Sequence, residues 1–263
     1  PFFDPLIVHV SSPEQAQLLT TQWGRAAQVL AQNFWPGPLT IVLPKNATVS
    51  DLITSGLGTV AIRCPNHPLA LKILRAVGIA LAAPSANRFS KTSPTKAEHV
   101  RKDLGDEIDI VDGGACSIGI ESTILSLTEN GNEVLLEILR PGSIGIDQLS
   151  GALKTAGFTV RIQKSTGKEV KAPGQLQHHY TPAVPLYLTK EISEAKLLPA
   201  PAIEMELPFN SRLAARELYS KMRECAEQKD AKSIYFRLLA MHSGDDWIAI
   251  VDRLTRAAMH TES

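Results

Sequence analysis

Apolar positions along the 263-residue chain fall into two rhythms, alternation over four to eight residues and recurrence every three to four residues. Residues 5–10 form an apolar run of strand type. It stops at Ser11-Ser12-Pro13, which starts a helix: a serine cap, proline in the first turn, and Glu14 at the positive end. A helix from about 23 to 34 follows. Trp35-Pro36-Gly37-Pro38 breaks it with a rigid corner that orients the strand at 39–43. Gly56-Leu57-Gly58 turns into a strand at 59–63, with Thr59, Ala61 and Arg63 on one face and Val60 and Ile62 on the other. Pro65-Asn66-His67-Pro68 caps a helix with apolar face Ala70, Leu74 and Val77. Residues 79–83 read as a short buried strand that Pro84 ends, having no N–H to give a ladder.

After a polar loop, Thr95 with Glu98 reads as a capping box for a helix with Ala97, Val100 and Leu104 on one side. A strand is expected at 108–111. Gly119-Ile120-Glu121-Ser122 leads into a strand to 127, and Asn130-Gly131 turns it back along 133–139. That hairpin places Ser122 and Arg140 at the same end. A helix at 146–156 follows, then a polar linker. A smaller α/β unit begins at Pro185, with strands at 186–188 and 233–239. Its helix at 211–225 packs through Ala215, Leu218, Met222 and Cys225. Its last helix, at 246–259, holds Trp247, Ile250, Leu254 and Ala257 inside, with Arg253 and Arg256 outside.

Composition narrows the classes. Apolar residues make up 44% and charged residues 21%, an ordinary globular balance. Lys+Arg and Asp+Glu are equal at 27 each, so an RNA contact must come from a local patch. Cys64, Cys116 and Cys225 are odd in number and far apart, which points to a reducing, cytoplasmic compartment. No apolar run reaches membrane-span length, so no membrane partner is expected. There is no signal-peptide pattern, and the first strand begins almost at once after Pro1, as in a chain without an upstream segment.

The candidate chemistry is anion binding. Ser85, Ala86 and Asn87 sit at a strand end, and Ser93-Pro94-Thr95 precedes a helix N-terminus. Free N–H groups and the helix dipole favour negative charge there. Arg63 is either a surface residue or, with Thr59 on its face, a fork for a carboxylate or phosphate. Ser122 beside Arg140 suits an oxyanion. His9, on an apolar strand, reads as a core histidine. His178 and His179 lack ligand-spaced partners, and His178-His179-Tyr180 reads as solvated linker. Neither Ser85 nor Ser122 has nucleophile-elbow glycines, which argues against a serine hydrolase.

Six of these motifs, in order, resemble the YrdC-like family of threonylcarbamoyl-AMP synthases in its two-domain form. They are Pro5-Leu6-Ile7-Val8-His9, Trp35-Pro36-Gly37-Pro38-Leu39-Thr40, Thr59-Val60-Ala61-Ile62-Arg63, Ala83-Pro84-Ser85-Ala86-Asn87 with Ser93-Pro94-Thr95, Gly119-Ile120-Glu121-Ser122-Thr123-Ile124, and Leu139-Arg140-Pro141-Gly142. Ala172-Pro173-Gly174 with His179-Tyr180-Thr181-Pro182 is similar to that form's linker. The resemblance implies a twisted mixed sheet with flanking helices at 1–163, a linker and lid at 164–184, and a shortened α/β domain at 185–263. The family's earlier Thr-Glu-Thr, Tyr-Gly-Leu-Gly and Lys-x-Arg motifs are not in this sequence, so the chain is expected to be a member without that segment.

The implied reaction joins L-threonine, bicarbonate and ATP, with Mg2+, into threonylcarbamoyl-AMP and pyrophosphate, for later tRNA-modification proteins. It asks for anion binding and alignment more than covalent catalysis. By position, the resemblance assigns Ser85, Asn87 and Ser93 to the ATP phosphates or the magnesium, Arg140 to phosphate charge and Thr59 to the nucleotide. Arg63 takes threonine's carboxylate, and His9, Ala83 and Ser122 line its pocket. Tyr180 becomes a lid over the nucleotide. No metal is held by protein side chains alone. The alternative is a non-catalytic member that binds nucleotide, or makes a weak RNA contact, without turnover. The related carbamoyl transfer of hydrogenase maturation is disfavoured, since that larger enzyme lacks this linker and C-terminal unit.

Overall fold

The computed structural model describes residues 4–164, 173 and 179–259. In chain order the first elements are β1 (Ile7–His9), α1 (Pro13–Gln17), α2 (Arg25–Phe34), β2 (Leu39–Pro44), α3 (Asp51–Thr54), β3 (Thr59–Arg63), α4 (Pro68–Val77), β4 (Leu81–Ala83) and α5 (Ala97–Leu104). Then come β5 (Thr123–Asn130), β6 (Glu133–Arg140), α6 (Ile146–Thr155) and β7 (Thr159–Lys164). The last elements are β8 (Leu186–Thr189), α7 (Ile192–Ala195), β9 (Ala202–Glu204), α8 (Ser211–Ala226), β10 (Ser233–Arg237) and α9 (Ile248–Ala257). Contacts divide the chain into two compact units that are not contiguous in sequence, as the expected segments 1–163, 164–184 and 185–263 are. Unit 1 is Pro1–Pro84 with Glu121–Gln175, and unit 2 is Ser85–Ile120 with Leu176–Ser263.

Unit 1 is a mixed sheet in the order β4-β1-β3-β2-β5-β6-β7. β1–β3, β2–β5 and β6–β7 pair parallel, and the other neighbours pair antiparallel. Strand alternation gives the sheet two faces. On one, Leu39, Ile41, Val60, Ile62, Leu125 and Leu136 pack with Ala27, Leu30 and Ala31 of α2 and Leu149 and Leu153 of α6. Each such buried aliphatic contributes about 1.5–3 kcal/mol, and Leu30→Ala would cost about 2–5 kcal/mol. The other face carries a small patch of strand residues alone, Val42, Ala61, Ile124 and Leu139 with Ile7. β2 is apolar at successive positions because it is buried on both sides.

Unit 2 holds a parallel sheet in the order β8-β10-β9. Asn210 caps α8 by accepting from the Leu213 N–H at 3.1 Å. The helix buries Ala214, Ala215, Leu218, Tyr219, Met222 and Cys225, a stripe at three-to-four spacing, against Ile234 and Phe236 of β10 and Ile250 and Leu254 of α9.

Several expectations are corrected. The segment at 79–83 is not a buried strand. β4 is a three-residue edge strand against β1, with Ala82 and Ala83 exposed. No strand forms at 108–111, where Ile108 and Val111 are exposed between acidic residues Glu107, Asp109 and Asp112. β7 has no expected counterpart, although Thr159-Val160-Arg161-Ile162 alternates. The α4 stripe is Leu71 and Leu74, rotated from the expected face, and Val77 is exposed. Thr95 does not cap α5. Its N–H donates to His99 Nδ1 at 3.1 Å, and its hydroxyl lies 2.8 Å from Ser220 Oγ. Arg253 is fully buried rather than outside. Its spacing from Ile250 and Ala257 puts it on the inner stripe. There Asp252 accepts from Nη1 at 2.9 Å and the Tyr180 ring lies 5.5 Å away. Most of the expected linker lies outside the described residues.

Candidate active site

The second face of the unit 1 sheet gathers the hydroxyl and guanidinium groups. The hairpin sets Ser122 and Arg140 at one end, but plain alternation would not aim Arg140 at this face. Arg140 is two residues from Ile138, which packs with the helix-covered core. A bulge corrects this. Leu125 pairs with Ile138 while Ile124 pairs with Arg140, so Leu139 is the extra residue and Arg140 shares the Ile124 face. Arg140 is 3% exposed. Its Nε and Nη2 donate to the Ser122 carbonyl at 3.2 and 3.1 Å, Nη2 also reaches Ser122 Oγ at 3.1 Å, and Nη1 donates to the Pro173 carbonyl at 3.2 Å. Neutral oxygens therefore hold this buried cation. Burial lifts the Asp4 carboxyl above its ordinary range, with Arg140's charge pulling the other way.

Ser122 is also fully buried, and its Oγ lies 2.7 Å from Thr40 Oγ1. Thr40 was missed by the sequence reading. Its signal is a polar residue inside the apolar run of β2, on the parity of Val42. At the same end of the strands, one step beyond the Ile41–Ile62 pair of β2 and β3, Arg63 lies beside Thr40, and His9 is its register partner across β1 and β3. Arg63 Nε donates to the Gly37 carbonyl at 3.1 Å, so the Trp35–Pro38 corner orients this arginine. Burial, then the Arg63 charge, pushes the His9 imidazole down to about 4, so it is neutral at pH 7. Its Nδ1 has no hydrogen-bond partner among the described residues. Thr59 lies on the parity of Arg63 but at the opposite end of β3, paired with Pro44. Ala83 is on edge strand β4, opposite Ile7.

Unit 2 carries the other expected residues. Ser85 Oγ bonds Asn87 Oδ1, and Asn87 Nδ2 donates to the Arg88 and Lys91 carbonyls at 2.8 Å each. Ala86 and Ser90 hold φ of 54° and 61°, left-handed values that cost non-glycine residues about 1–3 kcal/mol each. Ser93 is buried. Tyr180 sits in the unit 2 core, 1% exposed and stacked on Tyr219 with centroids 5.5 Å apart, so its ring does not stand on an open strap. Among the described residues no three His, Cys, Asp or Glu side chains gather as a metal cluster, and no helix is long and apolar enough to cross a membrane.

A profile of the Sua5, YciO and YrdC proteins, described as telomere recombination, matches residues 1–142. The chain belongs to the Sua5/YciO/YrdC family. A second profile, described as threonylcarbamoyl-AMP synthase C-terminal domain, matches residues 144–259. Within the Sua5/YciO/YrdC family, the threonylcarbamoyl-AMP synthase of Pyrococcus abyssi is 42% identical over 184 residues, 70% of this chain and 53% of that protein. That of Bacillus subtilis is 43% identical over 188 residues, 71% of this chain and 53% of that protein. The chain thus spans about half the length of these curated relatives. The crystal structure of P. abyssi Sua5 complexed with L-threonine superposes with a TM-score of 0.82 at 32% identity, over 98% of this chain and 81% of that one. Both the mixed sheet and the small second sheet belong to this fold.

Proposed function

We propose that the chain condenses L-threonine, bicarbonate and ATP into threonylcarbamoyl-AMP and pyrophosphate. The observation that carries the reading is Arg140, a buried guanidinium held by carbonyl and hydroxyl oxygens, whose charge is suited to an incoming phosphate. Similarity to the curated synthases, and to a Sua5 solved with L-threonine, supports the same chemistry.

In this reading threonine's amine takes up carbon dioxide from bicarbonate as a carbamate, the amine proton and the bicarbonate hydroxyl leaving as water. A carbamate oxygen attacks the α-phosphorus of ATP, and pyrophosphate leaves with the electron pair of the broken P–O bond. The protein aligns the reactants and stabilises charge. Arg63 forks onto threonine's carboxylate, and neutral His9, Ala83 and Ser122 line its pocket. Thr59 contacts the nucleotide and Arg140 neutralises phosphate. Ser85, Asn87 and Ser93 keep the phosphate roles the resemblance gives them, whereas the Tyr180 ring, buried on Tyr219, is not given the lid role. Mg2+ fits as the companion of ATP. Ser85 Oγ and Asn87 Oδ1, joined by a hydrogen bond, are hard oxygen donors that would hold the ion beside the phosphates. When bound it neutralises phosphate charge. The product would serve tRNA-modification proteins in a cytoplasmic compartment.

The test is pyrophosphate release from ATP and Mg2+, with threonine and bicarbonate added together or singly. Release that needs both supports the synthase. Threonine-independent release refutes the chemistry, and ATP binding without release leaves a non-catalytic member of the family.

A further inference from the structure

The loop from Ser85 to Thr95 is exposed at its start and buried at its end. Thr92, Ser93 and Thr95 are 3%, 6% and 4% exposed. What covers the buried end comes from much later in the chain, within the same unit. Arg223 of α8 forks onto Asp103 of α5, Nη1 to Oδ1 at 3.0 Å and Nη2 to Oδ2 at 2.6 Å, and Nη2 also donates to the Thr92 carbonyl at 2.5 Å. One turn earlier on α8, Ser220 Oγ meets Thr95 Oγ1 at 2.8 Å. The Thr92 hydroxyl donates to the Tyr180 carbonyl at 3.1 Å. The Thr181 N–H donates to the Ser90 carbonyl at 2.8 Å, and the Thr92 N–H to the Thr181 carbonyl at 3.2 Å. Arg88 Nε donates to the Asp103 carbonyl at 2.9 Å.

These contacts converge on the backbone between the left-handed Ser90 and the start of α5. Apolar packing already accounts for α8 through Leu218, Tyr219 and Met222. Ser220 and Arg223 lie off that stripe, three residues apart, and both reach the loop. A bidentate guanidinium–carboxylate pair with a third bond to a main-chain carbonyl fixes position as well as charge.

We propose that α8 braces the anion-binding loop, with Arg223 as a positioning residue that acts through the Thr92 carbonyl and Asp103 to hold Ser85, Asn87 and Ser93 ready for the triphosphate of a nucleotide. The proposal rests on the synthase reading for its ligand, and it gives the C-terminal segment a defined task, preorganisation of the phosphate loop.

The experiment uses the full chain and three variants, Arg223→Met, Thr92→Val and Thr92→Ser. Amide hydrogen exchange is followed along the chain, and Mg-ATP affinity is measured directly beside KM and kcat for ATP and threonine. Arg223→Met is expected to speed exchange of residues 87–93 and raise the ATP Kd and KM about tenfold, with kcat and the threonine KM within about twofold. Thr92→Val moves the same quantities less, and Thr92→Ser restores them. Unchanged loop exchange overturns the proposal. So does loosening spread evenly over unit 2, or a loosened loop with unaltered ATP affinity. If the wild-type chain binds ATP but releases no pyrophosphate, the synthase reading fails, while loop exchange and ATP affinity still decide the brace.

Discussion

One methyl group at residue 142 tests how the Ser122–Arg140 pair is held. A Cβ there would lie 2.3 Å from the Thr123 nitrogen, 2.7 Å from the Ser122 carbonyl carbon and 2.8 Å from the Thr123 Cα. These main-chain atoms are pinned, since the Thr123 N–H donates to the Pro38 carbonyl at 2.9 Å and its hydroxyl to the Ile144 carbonyl at 2.9 Å. Gly142→Ala therefore destabilises unit 1 by about 1–3 kcal/mol, the range for overpacking. Gly151 is the control. It lies inside α6 and a Cβ there meets nothing within 4 Å, so Gly151→Ala gains about 0.5–1 kcal/mol of helix propensity. Two variants that each add one methyl should thus differ by roughly 1.5–4 kcal/mol. Urea unfolding followed by tryptophan fluorescence reads the difference in a Trp247→Phe background, where Trp23 and Trp35, 6.0 Å apart, report on unit 1. A Gly142→Ala midpoint at or above wild type, or a Gly151→Ala midpoint below it, would refute the reasoning.

Two further outcomes follow from charge. The His9 pKa falls from 6.5 to about 4 on folding, so the unfolded chain binds more protons between those values. Stability therefore rises with pH across that window and is full above it, and wild type should lose about 2 kcal/mol from pH 7 to 5 through this residue. His9→Gln should flatten that part of the urea-midpoint profile, and an equal slope in both proteins would contradict it. Arg253→Met removes one member of a buried pair and the cation over the Tyr180 ring. It should cost unit 2 about 3 kcal/mol, at the low end because Asp252 keeps Arg256 at 3.0 Å, and Trp247 fluorescence on heating should show the lowered transition.

Much of the architecture was legible because burial imposes a period. The α8 stripe Ala215, Leu218, Met222 and Cys225 and the hairpin that brings Ser122 to Arg140 both follow from spacing and turn chemistry. What spacing could not reveal was burial set by neighbours distant in sequence. Residues 79–83 are as apolar as a central strand, yet β4 has β1 alone beside it. Arg253 was read by its charge, although its period was that of the core. In the candidate site, the residue types at Arg140 and Ser122 were readable. The bulge at Leu139 that aims Arg140 was not, because no single residue signals a register shift.

The interleaving of the two units bears on how the chain can be made and divided. Residues 85–120 belong with a segment that starts at Leu176, while the intervening Glu121–Gln175 belongs to unit 1. During synthesis, α5 and its loop leave the ribosome first and wait while roughly 55 more residues are added, about 3–11 seconds at usual elongation rates. Unit 1 can close on itself during that interval, but the loop's partners Ser220 and Arg223 come later still. A cut near residue 143, where the two family profiles meet, would divide the amino-acid sequence cleanly and leave each fragment short of part of unit 2.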